Sequence, residues 1–343
     1  MVGVRLKVPP IIIRYDTRHT RWHRETMKRK SKNIGLALGG GGARGFAHIG
    51  VLRILEEENV PIDIIVGTSS GALVGASYAS GIGPDELEEI IEGYLESPEF
   101  HSSAINAIEE AHKREDSGLA RKIQSYLKNK VILLQAMFKP GILSAKDFRA
   151  MIDYLLPDIQ IEDMAIPFRA VATDLVSGKP VIFSEGSLRE AVMASSTVPG
   201  AIQPLKKDNY LLSDGGIIAH VPVSATINEG ADRVIAVVVS KDILLEDELT
   251  NAQEILSRAN DLTTHYLVQY ELTRADVVIR PSVGTLHWSE FSHAQHLIRA
   301  GEDAARESMG HIRSIIPGTK KWFTIGHYLR LYRRKQCQVP FPL

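Results

Sequence analysis

The chain has 343 residues, with 40 Lys and Arg against 41 Asp and Glu, a formal net charge of −1, and 44% hydrophobic residues. That balance is ordinary for a globular protein, so it excludes intrinsic disorder as the main state and nucleic-acid binding driven by bulk basicity. A chain of this length buries roughly three quarters of its unfolded surface, enough for one large domain or two modest ones. Residues 1–32 come first and are strongly basic, with ten Lys and Arg against Asp16 and Glu25, a net +8. Pro9–Ile13 is too short for the apolar core of a signal peptide. An Arg-rich, acid-poor start fits a transit peptide by composition. A plainer expectation is that Met27 is the native start, because Met27-Lys-Arg-Lys-Ser-Lys32 runs straight into the first strand; the mass of the natively expressed protein distinguishes the two.

Ile34–Leu38 is a short apolar run that ends in four glycines, Gly39–Gly42, and from Ala43 to Glu58 apolar residues recur at helical spacing. Ile62–Val66 is a β-branched run broken by Gly67, and a small-residue helix, Ala72–Ala79, follows. Residues 34–80 therefore read strand–loop–helix–strand–turn–helix, the pattern of a parallel sheet covered on both faces. Residues 85–137 read as helical, and Ser144 opens another helix through Leu155. Strands are expected at Pro167–Thr173, Val181–Phe183, Tyr210–Leu212, Arg233–Val239 and Asp276–Arg280, with long helices over 246–272 and 290–310. The expectation is one α/β domain over 33–312 with a helical insertion near 85–140. A basic extension (1–32) precedes it and a basic tail (313–343) follows it.

From Lys320 to the end there are six bases and no acid, which leaves residues 33–319 with −15. The near-neutral total is thus an acidic body with two basic ends. A single cysteine, Cys337, excludes an intrachain disulfide and a multi-Cys zinc site. The longest apolar runs, such as Val234–Val239, fall far short of the ~20 residues that span a bilayer. A cytoplasmic protein is expected, with peripheral membrane contact through the basic ends as a further expectation.

Three loops carry chemistry. Gly67-Thr68-Ser69-Ser70-Gly71 is a G-x-S-x-G between a strand and a helix. A sharp strand-to-helix turn presents the central serine as a nucleophile, and flanking glycines remove side chains that would clash there. Gly39–Gly45 allows backbone amides to converge on an anion, which suits an oxyanion hole. Gly40-Gly41-Gly42-Ala43-Arg44-Gly45 also fits the dinucleotide fingerprint G-x-G-x-x-G, so a nucleotide-binding module is an alternative. Its ribose-binding acid would be Asp63, which sits at the start of its strand rather than the end. Asp214 in Ser213-Asp214-Gly215-Gly216 follows another strand and is a base candidate; alone, such a turn is more often structural.

Together these loops resemble those of the patatin-like phospholipases. Ala172–Leu175, Val181–Gly186, Ala194-Ser-Ser-Thr-Val-Pro199 with Pro204, and Leu297–Gly301 extend the resemblance to roughly residues 33–310. It implies a three-layer α/β/α fold with a mainly parallel sheet and a serine acyl hydrolase acting on phospholipid, lysophospholipid or other acyl esters. It further implies a Ser–Asp dyad of Ser69 and Asp214, an oxyanion hole from Gly40, Gly41 and Gly42, and supporting roles for Arg44, Gly67, Gly71, Gly215 and Gly216. No metal, cofactor or nucleic acid is expected. His220 stands where the family often has Asn, which puts the local support of the Asp214 loop in question. A Ser–His–Asp triad is the rival arrangement, with His220, His265, His287, His293 and His296 as possible third members. His48, one turn into the glycine-loop helix, is expected to pack rather than act as a base. Val131–Phe138 is apolar enough to form part of a cover over the substrate path.

Overall fold

A computed structural model describes residues 32–103, 106, 109–110, 145–245 and 249–317. The basic ends, the apolar Val131–Phe138 stretch and most of the expected 85–140 insertion lie outside the described residues, apart from Lys32 at the N-terminal side and residues 313–317 at the other. Eight strands form one sheet: β1 Ile34–Leu38, β2 Ile64–Thr68, β3 Phe168–Asp174, β4 Lys179–Phe183, β5 Leu205–Lys207, β6 Tyr210–Asp214, β7 Arg233–Val237 and β8 Val277–Ile279. The run β3-β2-β1-β7-β8 is parallel, while β4, β5 and β6 join antiparallel at the β3 side.

The central strands are buried on both faces, as their β-branched sequences require. Alternate residues divide between two cores. Leu36, Leu38, Ile65, Ile235 and Val237 face one layer. That layer contains α1 Ala47–Glu57, α2 Ser70–Ala79, α3 Pro84–Glu96, α5 Ala145–Leu155 and α10 Ala294–Ile315; the short α4 Pro98–His101 lies between α3 and α5 in the chain. Ala37, Ile64, Val66, Val234 and Ala236 face the other layer, with α8 Val223–Asn228 and α9 Ala252–Leu272. The remaining helices, α6 Leu188–Ser195 and α7 Gly216–Ala219, flank the antiparallel part of the sheet. This is the expected α/β/α sandwich. Its last helix runs to Ile315, slightly past the expected boundary.

The expected strands all form, with ends that differ by no more than two residues. β5 is the addition: Lys206 and Lys207 make it polar, and it closes a two-residue hairpin through Asp208 (φ 51°) and Asn209 onto β6. Such a lysine-rich edge strand has no alternating apolar signature to find.

The register of β3 positions the site. β4 occupies one edge of β3 over Ala170–Asp174. On the opposite edge β2 pairs as far as Thr68 with Val171, and β6 pairs from Asp214 with Ala172 onward. A strand has only two hydrogen-bonding edges, so β2 and the oppositely running β6 meet end to end along the same edge of β3. Ser69, the residue after β2, and Asp214, the last residue of β6, are brought together at that junction.

Candidate active site

Ser69 has φ 55° and ψ −125°, a left-handed region that non-glycine residues rarely occupy. The turn is forced by close packing on both sides. A Cβ on Gly67 would lie 2.5 Å from the Ala72 Cα, and one on Gly71 would lie 2.3 Å from the Leu38 carbonyl oxygen. The two glycines of the motif are therefore required by contact, and α2 starts immediately beyond the serine.

The Ser69 hydroxyl acts on the Asp214 carboxylate as a hydrogen-bonding neighbour that favours its charged form. Asp214 is 6% exposed, and its Oδ1 also accepts from the Gly216 amide at 2.7 Å. Burial pushes its pKa up to about 6, against the opposing effect of those two hydrogen bonds. A carboxylate held there is better matched to taking a proton near neutrality than one at its ordinary value. Gly215 lies where a Cβ would meet the Val171 carbonyl oxygen at 2.2 Å, so the Asp214 turn is pressed directly onto β3.

The glycine loop faces the same point; a Cβ on Gly40 would touch the Ser69 Cβ at 3.2 Å. Its amides are not equivalent. Gly40 N–H donates to the His220 carbonyl at 2.9 Å and Gly39 N–H to Val237 at 3.1 Å, while Ala43 N–H donates to the Trp288 carbonyl at 2.7 Å. Among the described residues no hydrogen bond between loops is made by the Gly41 or Gly42 amide, whereas Gly40 ties the loop to the segment after the Asp214 turn. Gly42 has φ 59°, and a Cβ there would lie 2.4 Å from the Trp288 oxygen. Arg44 is buried, and its Nε donates to the Gly41 carbonyl at 3.0 Å, bracing the loop from inside. Burial lowers its pKa to about 10, so it remains charged at neutral pH beside Asp261.

His48 is fully buried, and its Nε2 donates to the Gly39 carbonyl at 2.8 Å. Because a carbonyl only accepts, Nε2 carries the proton of a neutral ring, consistent with a pKa lowered to about 4 by burial. His220 lies against Gly40 and Gly216, and burial together with the Arg44 charge lowers its pKa to about 4. Its ring is paired with the Gly40 backbone, whereas the Asp214 carboxylate has the Ser69 hydroxyl and the Gly216 amide as neighbours. His293 and His296 are exposed around the start of α10, and the His287 ring bonds Ser289 Oγ at 2.8 Å. His265 lines the larger chamber described below. Asp63, the acid that a dinucleotide site would need, instead accepts from the Ile34 amide at 2.6 Å, at the end of β1 away from the glycine loop.

Two spaces open on Ser69. One, of about 110 Å³, is almost wholly apolar and runs between Phe46, Leu73, Ile91, Phe148, Leu155 and Phe291. The other, of about 560 Å³, is of mixed polarity, far more polar than the first, and is bounded by the glycine loop, Asp214, His220, Lys241, Asp261 and Arg280. Trp288 borders both. Trp288 and the buried Ser195, which holds the Ser69 amide, escape motif reading. Trp288 lies in a loop with no local signal, whereas Ser195 falls within the Ala194–Pro199 run, whose residues show no role until the chain is folded.

A family model described as patatin-like phospholipase matches residues 36–227. Among curated proteins, the chain is similar to patatin-like phospholipase domain-containing protein 7 of Mus musculus, at 35% identity over 70% of this chain and 16% of that protein. It is also similar to an uncharacterized NTE family protein of Mycobacterium bovis, at 34% identity over 60% of this chain and 49% of that protein. The chain thus matches at most about half the length of these relatives. Among solved structures, VipD from Legionella pneumophila aligns with a TM-score of 0.41 and 14% identity, over 83% of this chain and 67% of that one.

Proposed function

The chain belongs to the patatin-like phospholipase family, and from that premise we propose that it is a serine acyl hydrolase cleaving carboxylic esters of lipids. The observation that carries this reading is the strained Ser69 turn, which opens on the same chamber as the buried Asp214 carboxylate and whose hydroxyl favours that carboxylate's charged form. In this mechanism Asp214 takes the hydroxyl proton as Ser69 attacks the ester carbonyl. The Gly41 and Gly42 amides, aimed by the Gly40 and Arg44 anchors, receive the oxyanion. The leaving alcohol takes the proton back, and water then cleaves the acyl-Ser69 ester by the reverse sequence.

The two chambers support a division of the substrate. The acyl chain enters the apolar space and the polar alcohol portion occupies the larger one. Phospholipid, lysophospholipid and simple acyl esters all satisfy that division. A hydrolysis profile across those three classes, with Ser69→Ala as blank, identifies the preferred one. Ser69→Ala and Asp214→Ala should each abolish hydrolysis and fluorophosphonate labelling. His296→Ala should match the wild type, and His220→Ala should lose far less than Asp214→Ala. Loss of acylation in His220→Ala equal to that in Asp214→Ala, with the fold intact, would replace the dyad by a triad. NAD or ATP binding without labelling of Ser69 would favour the nucleotide-binding module instead.

A further inference from the structure

We propose that Ser195–Thr197 is the positioning element that sets the separation of Ser69 and Asp214, with the Ser195 hydroxyl holding the nucleophile's turn. The proposal rests on the reading that those two residues perform ester hydrolysis. β2 and β6 meet end to end along β3 and are not paired with each other there, so the sheet's own ladder does not fix the distance between their ends. The last residue of α6 and the two residues after it bridge that junction. Ser195 Oγ accepts from the Ser69 amide at 3.0 Å and donates to the Val171 carbonyl of β3 at 2.6 Å. The Ser195 carbonyl accepts from the Gly215 amide at 3.3 Å, and the Thr197 carbonyl from the Asp214 amide at 3.0 Å. The Thr197 carbonyl also accepts from Ser213 Oγ at 2.8 Å. Ser195 and Thr197 are both 0% exposed. One three-residue segment thus holds the backbone of the nucleophile, of the base and of the residue after the base.

A hydroxyl is needed at 195 because that atom must accept from one backbone and donate to another; an alanine would leave the Ser69 amide and the Val171 carbonyl buried without partners. The Ser69 amide, being held by Ser195, is also withdrawn from oxyanion binding, which leaves that task to the glycine loop. The clamp has an electrostatic signature. The Ser69 hydroxyl is one of two hydrogen bonds that restrain the pKa of Asp214 against burial. The second comes from Gly216, on the base's own turn; the neutral His220 ring lies against that turn, and the other titratable groups lining the same chamber are Arg44, Lys241, Asp242, Asp261, His265 and Arg280. If the Ser69 turn drifts, the carboxylate loses the first restraint and its pKa rises.

The test is Ser195→Ala in the full chain, with inactivation by a fluorophosphonate and hydrolysis of a short soluble acyl ester followed from pH 4.5 to 8. The expected result is a kcat lower by ~10- to 100-fold, as for a displacement of about 1 Å, with KM little changed. The acid limb of kcat/KM should move to higher pH. Ser195→Cys, which keeps the volume but weakens both hydrogen bonds, should fall between; it carries the test alone if the alanine variant does not fold. Wild-type kcat and an unshifted acid limb in a folded variant would overturn the proposal while leaving the hydrolase reading intact. Failure of the wild type itself to be labelled at Ser69 would overturn that reading, and the proposal with it.

Discussion

At Ser69 the backbone occupies a conformation that costs about 1–3 kcal/mol, and its hydroxyl is turned onto a carboxylate that burial has made more basic. The pKa of Asp214, about 6, predicts the pH dependence of the reaction. In the proposed mechanism the base must be ionised to accept the proton, so kcat/KM should rise with pH through an acid limb near 6 and then level off; the initial-rate profile on a soluble ester checks this. The same shift has a stability consequence of opposite sign to that of His48. Asp214 binds its proton more tightly folded than unfolded, so its contribution is present at low pH and is lost as pH rises through about 6. His48 binds its proton less tightly folded, with a pKa of about 4 against 6.5, so its contribution is present above 6.5 and is lost as pH falls toward 4. His220, lowered to about 4 by burial and the Arg44 charge, acts in the same direction as His48. The two histidines together outweigh the opposing Asp214 contribution, so urea unfolding should show stability falling as pH drops from 7 to 4. Asp214→Asn should steepen the decline and His48→Gln should flatten it.

Among the elements, the helix pair α1 and α10 makes the tightest contact behind the glycine loop. A Cβ on Gly50 of α1 would lie 1.9 Å from the Ile298 carbonyl oxygen, and one on Gly301 of α10 would lie 1.9 Å from that of Ala47. The two glycines let the backbones touch reciprocally. Gly50→Ala and Gly301→Ala should therefore each destabilise the protein by about 1–3 kcal/mol, the usual cost of overfilling a close contact, measurable as a lower urea midpoint. Gly301 belongs to the Leu297–Gly301 run noted in the sequence, and its reason is now physical. Most elements were legible because their apolar periodicity reports burial directly. β1, β2 and β7 are continuous apolar runs buried on both faces, and α10 alternates its buried and exposed faces cleanly. What was not legible is direction. β6 reads as one more strand ending in a turn, yet it runs antiparallel to β3, and that reversal delivers Asp214 to the end of β2. Strand direction depends on chain connections far from the strand, so a local window carries no trace of it.

For the whole molecule, the charge division remains the feature with the clearest consequence. Residues 33–319 carry −15, and the segments 1–32 and 320–343 carry net charges of +8 and +6. We propose that the basic ends hold the acidic hydrolase body against an anionic lipid surface, where each Lys or Arg contributes about 1 kcal/mol. Among the described residues no helix is long and apolar enough to cross a membrane. Cosedimentation with vesicles containing anionic lipid should weaken as salt rises and weaken again when residues 1–31 or 320–343 are removed; binding indifferent to both would discard the idea. The sequence by itself determined the α/β class, the family, the strand–turn–helix around Ser69 and the glycine loop, because each depends on residues adjacent in the chain. Only the tertiary structure decided that Gly40 is an anchor rather than a free donor, that His48 and Arg44 brace the loop, and that Ser195–Thr197 spans the β2–β6 junction. Those roles depend on hydrogen bonds between segments distant in the chain, whose partners are chosen by the packing of the sheet and not by the residues beside them.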